Sequence, residues 1–184
     1  MTKPRRIRLP ALLLAATLAA LNPATTQASK RPELVREAAA ALESACAHDT
    51  AARLLREQAK AVLVFPHIVK AGFMFGGQMG DGVLFKGGKS AGEYNTLAAS
   101  YGLQVGVQKF GYALFFMNDA ALAYLGKSGG WEVGVGPSVV VVDKGAGKSM
   151  TSTTLTQDVY AFIFDQKGLM AGIGIQGSKI TSLD

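Results

Sequence analysis

Seven cations between residues 30 and 70 carry the clearest chemical suggestion in this chain: Lys30, Arg31, Arg36, Arg53, Arg56, Lys60 and Lys70. Arg53, Arg56 and Lys60 are three and four residues apart, so a helix places them on one face. Ala51, Leu54, Leu55 and Ala59 fall on the other side of that helix. A helix with one apolar and one cationic face can lie against an anionic bilayer. The competing reading is a charged face turned to water, because Glu33, Glu37, Glu43 and Glu57 cancel part of the charge.

Covalent chemistry finds little support. Gly88-Lys89-Ser90-Ala91-Gly92 and Gly126-Lys127-Ser128-Gly129-Gly130 match a nucleophile-elbow pattern by letters. That chemistry needs a strand before the serine, a helix after it, and an acid and a histidine downstream. His48 and His67, the two histidines, both precede the serines. Gly145-Ala146-Gly147-Lys148-Ser149 imitates a phosphate loop, but Val142 stands where the motif needs its first glycine. Gly172-x-Gly174-x-x-Gly177 imitates a dinucleotide fingerprint too near the last residue, Asp184, for a helix to follow it. His48 and His67 have no close second metal ligand, and Asp81 between two glycines suits a turn. The sequence therefore predicts no catalytic residue, no metal site, no cofactor and no enzymatic activity.

The elements that must position the cations emerge from periodicity. Pro32 to Ala47 reads as a helix, with proline in its first turn and Leu34, Val35, Ala38, Leu42, Ala45 and Cys46 on one stripe. Asp49 or Thr50 can cap a second helix that runs to about Lys60. After Pro66 the chain reads as strands and turns. The predicted strands are 61–65, 68–78, 82–86, 102–109, 112–118, 131–142, 158–165 and 169–177, with 86–92 and 144–154 as polar loops. Asn118 caps a short helix through Leu125, and Gln166-Lys167-Gly168 is read as a hairpin turn. The glycines at 72, 76, 77, 80 and 82 suggest close backbone approach in a β-core. Phe73, Phe75, Phe110, Phe115, Phe116 and Trp131 are read as core, although some could line an apolar groove or dip into lipid. The expected fold is α+β: a bent antiparallel sheet, or two sheets, with two N-terminal helices packed on it. A membrane-spanning barrel is the rival, disfavoured because Val139–Val142 and Phe162–Phe164 are continuously apolar instead of alternating.

Residues 1–28 read as an export signal. Lys3, Arg5, Arg6 and Arg8 precede the apolar run Ala11–Leu21, and Thr26-Gln27-Ala28 offers a cleavage site. Residues 29–184 then form a single domain. The full chain carries 19 Lys+Arg against 13 Asp+Glu; removing the signal takes four bases and no acid, leaving 15 against 13. That balance gives no push toward a nucleic-acid partner. Cys46 is the only cysteine, so no intrachain disulfide forms; a small buried side chain is its simplest role.

Three ordered blocks resemble the SYLF family of lipid-binding domains. The first holds Val64-Phe65-Pro66, Lys70-Ala71-Gly72-Phe73, Gly76-Gly77-Gln78 and Gly80-Asp81-Gly82-Val83-Leu84. Ser100-Tyr101-Gly102-Leu103-Gln104-Val105-Gly106 looks like the second. Lys167-Gly168-Leu169-Met170-Ala171-Gly172 and Gly177-Ser178 look like the last. The similarity spans roughly residues 33 to 180. The resemblance implies non-catalytic binding of acidic lipids through N-terminal amphipathic and basic elements, here the seven cations named above. It implies a periplasmic or extracellular protein that associates with anionic phospholipids or a membrane surface. A structural or adaptor protein of the envelope, binding a protein partner, is the alternative. Actin binding by eukaryotic members does not carry over to an exported chain.

Overall fold

The computed structural model describes residues 31–142, 150, 155–168 and 174–183, except for the side chains of residues 74, 100–105 and 168. The predicted export signal and Lys30 lie outside that range. Two helices lead. Helix α1 spans Pro32–His48, with proline in its first turn as expected. Helix α2 spans Thr50–Gln58, and the Asp49 carboxylate accepts a hydrogen bond from the Ala51 amide at 2.7 Å. Of the two capping residues considered, Asp49 does the work, because it is the one left in extended backbone.

Two long strands come next and dominate the sheet: β1 at Ala61–Lys86 and β2 at Lys89–Phe116, paired antiparallel along their whole length. The three strands expected between 61 and 86 are therefore one, as are the two expected between 102 and 118. Pro66, which reads as a strand end, sits in a bulge between Phe65 and Ile68, where a missing N–H costs no ladder bond. The expected loop at 86–92 is a two-residue turn. Gly87 and Gly88 both hold positive φ, 56° and 76°, as the tight hairpin turn compatible with strand twist requires.

Asn118 accepts from the Ala121 amide and starts the short helix α3, Asp119–Leu122, followed by a 3₁₀ turn at Ala123–Gly126. The single strand expected at 131–142 is two: β3 at Trp131–Glu132 and β4 at Val139–Val142. Strand β5 is Val159–Gly168 and β6 is Lys179–Ser182. Gln166 to Gly168 continue β5 instead of turning. Of the strand expected at 169–177, residues 169–173 lie outside the described range, and 174–177 lead through a turn into β6. The six strands form one sheet in the order β3-β6-β2-β5-β4, with β1 on β2.

The α+β class holds, with strands predominating, but the sheet is mixed. β4 pairs parallel with β5. A parallel pair needs a crossover of about a dozen residues or more, and the segment between Val142 and Val159 is long enough to make one.

The sheet curls so strongly that β1 folds back over itself. A Cβ on Gly82 would fall 2.6 Å from the Val64 carbonyl oxygen and 2.5 Å from the Phe65 ring, so glycine is what lets the two arms of β1 meet. Two cores result. Inside the curl, Leu63, Phe65, Ile68, Phe110, Tyr112, Leu114, Phe116, Trp131 and Ile163 pack together. Outside it, Ala38, Leu42, Cys46 and Leu55 of the helices cover Val62, Val64, Val83, Phe115 and Phe162.

Candidate functional site

The helices cover only one end of the curled hairpin. At the other end β1 reverses direction near Gly72–Gly76, where a Cβ on Gly72 would lie 2.6 Å from the Gly76 Cα. The pairing with β2 shifts register at the same point, between Phe73 and Phe75. The result is an apex projecting past the helical layer.

Side chains at this apex reverse the usual arrangement. On the outer face Val69, Ala71, Phe73, Phe75 and Met79 of β1 and Leu97 and Val107 of β2 are exposed, with Phe73 and Phe75 each 70% accessible. Met79 stands opposite Leu97, and Ala71 opposite Val107. On the inner face the buried residues include Lys70, Gln78, Thr96 and Gln108. Gln78 donates to the Ser178 hydroxyl at 3.0 Å, and the Tyr112 hydroxyl donates to Thr96 at 3.0 Å. Burial, only partly offset by the Thr96 contact, pushes the Tyr112 phenol far above its ordinary range. Phe110, Phe115, Phe116 and Trp131 are core as expected, whereas Phe73 and Phe75 are not. They fall on the outer face beyond the reach of α1 and α2.

Two lysines border the apolar surface. Lys109 lies across the ladder from Val69, and Lys167 of β5 lies directly opposite Lys109 on its other side. Both are exposed, and neither forms an ion pair among the described residues. Like charges directly opposite one another on a ladder are destabilising, so a nearby anion would relieve this pair.

The cations singled out from sequence are scattered by comparison. Arg31 is held by acids of the hairpin: Nη1 reaches Asp81 at 2.5 Å, Nε donates to Glu93 at 3.0 Å, and its backbone amide also donates to Glu93. Those two carboxylates, Glu93 first, raise the Arg31 pKa. Arg36 pairs with Glu33 at 2.7 Å, and Arg56 with Glu43 at 2.6 Å. Arg53 is exposed, its guanidinium 3.4 Å from the Thr50 hydroxyl. Lys60 is exposed at the end of α2. Lys70 is 6% accessible and belongs to the inner face, opposite Gln108. Its place as a surface cation is thereby corrected: the bulge at Pro66 shifts the alternation by one residue and turns Lys70 inward. Arg53 and Arg56 lie on α2, but the helix expected to reach about Lys60 ends at Gln58 and leaves Lys60 beyond the Ala59 cap, while Arg31 and Arg36 are engaged elsewhere.

The motif serines have the wrong surroundings for a nucleophile elbow. Ser90 lies within β2, and Ser128 precedes β3 with no helix after it. His48 is exposed, its Nδ1 2.7 Å from the Ser44 carbonyl oxygen; His67, also exposed, is 3.7 Å from Glu37. Among the described residues no group of three or more His, Cys, Asp or Glu side chains converges as metal ligands would. Cys46 is buried on α1, and burial raises its thiol pKa. Among the described residues, no helix is long and apolar enough to cross a membrane.

A family model described as Ysc84, Las17-binding protein actin regulator, matches residues 97–184. Residues 97–184 are similar to this Ysc84 (SYLF) family, as the resemblance read from the sequence implies. The match covers the second half of β2, the α3 turn and β3 to β6, and it contains the second and third blocks of the resemblance. The first block, on β1, precedes it. The SYLF family is one of binding domains, associated with lipid or with actin-regulator binding. No curated protein matches the chain.

The apex is what sequence reasoning missed. Its signal was a strand of period two with the polarity inverted: Val69, Phe73, Phe75 and Met79 alternate with Lys70, Gly72 and Gln78. Read by itself, that pattern resembles the apolar-out, polar-in alternation of a lipid-facing strand.

Proposed function

We propose that this SYLF protein binds anionic phospholipid surfaces of the cell envelope without catalysis, and that the β1–β2 apex makes the principal contact. The observation behind this reading is the inverted apex: exposed Phe73 and Phe75 on the outer face, buried Lys70, Gln78 and Gln108 on the inner. Water is a poor solvent for such a surface, whereas a headgroup–acyl boundary suits it. Burying a phenylalanine side chain contributes about 1.5–3 kcal/mol, enough for a two-residue anchor to hold a protein reversibly on a bilayer. Lys109 and Lys167 then lie at headgroup level, each contributing about 1 kcal/mol against an anionic leaflet. Arg53 of α2 and Lys60 just beyond its end add to that attraction, because neither forms an ion pair among the described residues. The expected site is an envelope leaflet reached after export.

Co-sedimentation with vesicles of phosphatidylglycerol and phosphatidylcholine tests the reading. Phe73→Ser with Phe75→Ser lowers vesicle partitioning at least tenfold while leaving the unfolding temperature unchanged. Charge reversal at Arg53, Arg56 and Lys60 has the smaller effect. Equal binding by wild type and the double serine variant would defeat the apex as the contact. A wild type that ignores vesicles altogether would leave the apolar face to a protein partner. That second reading has one observation of its own, the protein-binding description attached to the family.

A further inference from the structure

The inner face of the curl behind the apex holds one buried polar group that the fold leaves unserved. Gln108 is 4% accessible, and its side-chain oxygen Oε1 is buried with no hydrogen-bond partner among the described residues. Other polar groups on that face are paired: Gln78 donates to Ser178, and Tyr112 donates to Thr96. Lys70 stands directly across the ladder from Gln108, so the two side chains leave the sheet about 4.5–5.5 Å apart. A buried acceptor without a donor is rare in a folded protein and points to a missing partner. The next inner position toward the apex is Gly106, paired with Gly72. A Cβ there would meet no atom within 4 Å, and the residue is partly open to solvent. Its φ of 137° favours glycine, which keeps the position free of a side chain. Space therefore adjoins the buried acceptor and communicates with the outside.

We infer that this hollow binds a compact neutral polyol, one of whose hydroxyls donates to Gln108 Oε1. The orphan group is an acceptor, and that decides the chemistry of the guest. An apolar guest would leave Oε1 buried and unpaired, which is costly. A carboxylate or a phosphate diester has no proton to give. An ammonium has one, but would bring a like charge beside Lys70. A hydroxyl donates to Oε1 and adds no charge. Adjacent hydroxyls of this kind occur in free glycerol and in the head of a neutral monoacylglycerol. A neutral guest inside the curl is a different ligand from the anionic surface proposed for the outer face, and its binding does not depend on that reading.

Amide NMR titration with glycerol, with monooctanoylglycerol below its micelle concentration and with acetate tests the hollow. Glycerol is expected to shift the Gly106 and Gln108 amide resonances saturably, and acetate to leave them in place. Monooctanoylglycerol binding at least tenfold tighter than glycerol identifies a lipid head as the source, and equal binding identifies the free polyol. Gln108→Leu removes the acceptor and weakens glycerol binding at least tenfold. Gln108→Glu keeps an acceptor opposite Lys70 and retains binding, so it remains informative should Gln108→Leu fail to fold. Phe73→Ser with Phe75→Ser leaves glycerol binding unchanged, and Gln108→Leu leaves vesicle partitioning unchanged, so the two sites fail separately. No saturable shift with either glyceryl ligand would mean that water alone serves Oε1 and overturns the inference. A shift with acetate but not with glycerol, or glycerol binding indifferent to Gln108→Leu, overturns it as well.

Discussion

The outer face of the β1–β2 pair is apolar at both ends, but the two ends live in different surroundings. At one end Val62, Val64, Val83, Ala113 and Phe115 are buried beneath α1 and α2. At the other, Val69, Phe73, Phe75, Met79, Leu97 and Val107 are bare. Both stretches belong to the same two strands, the same face and much the same composition. What differs is the reach of the helical layer, and with it the polarity of the inner face behind each end. Under the helices the curl is lined with Leu63, Phe65, Leu114 and Phe116; behind the apex it holds Lys70, Gln78 and Gln108. A strand face that is apolar because it is covered serves stability. The same face left uncovered, on a polar lining, serves contact with something outside the protein.

Matched truncations give the largest effect that tests this contrast. Phe115→Ala, in the covered half, is expected to cost about 3–5 kcal/mol, whereas Phe73→Ala at the apex stays within about 0.5 kcal/mol of wild type. Chemical denaturation measures both. A loss of several kcal/mol for Phe73→Ala would mean that the apex is core after all.

Removing the fastening between the helical layer and the hairpin comes next. Arg31→Ala deletes the donor side chain shared by Asp81 and Glu93, and Glu93 is only 4% accessible. The Arg31 side chain is half open to solvent, so the expected loss is about 1 kcal/mol. Hydrogen exchange should show it as faster opening of the first turns of α1. Unchanged exchange there would show that apolar packing alone holds the helix down.

Acid gives the smallest and most diffuse effect. Asp158 joins three elements. It accepts from the Ser138 amide at 2.9 Å, the Asn118 amide group at 2.8 Å and the Ser138 hydroxyl at 3.0 Å, which together hold its pKa below the ordinary 3.8. Arg56 holds Glu43 below the ordinary 4.5. A carboxylate whose folded pKa is depressed contributes stability above its unfolded value and loses it as pH falls toward the folded one. The unfolding temperature should therefore be flat from pH 7 to about 5 and decline below that. Asp158→Asn should make the decline shallower. An identical acid limb in that variant would place the acid sensitivity elsewhere.

The local signals were legible in the sequence because local chemistry sets them. Pro32 opens α1, Asp49 caps α2, Asn118 caps α3, and Cys46 lies on the apolar stripe of its helix. Two glycines at 87 and 88 mark a turn whatever surrounds them. The SYLF blocks were legible for the same reason, since a family pattern is a string of residues. Strand boundaries were not. Pro66 and the glycines from 72 to 82 read as interruptions, yet a bulge absorbs the proline and the curl needs the glycines for its close approach. The parallel pairing of β4 with β5 depends on where a long connection returns, which no short window contains.

For the site the division is sharper. Composition and spacing alone identified a cation-bearing helix and placed Phe73 and Phe75 in a β-rich stretch, where they were read as core. Which of those residues meet solvent was settled only when the sheet curled and the helices covered one end of it. Burial is a property of neighbours distant in sequence. A one-residue bulge at Pro66 reverses the face taken by the side chains that follow it, sending Lys70 inward and leaving Phe73 on the outside.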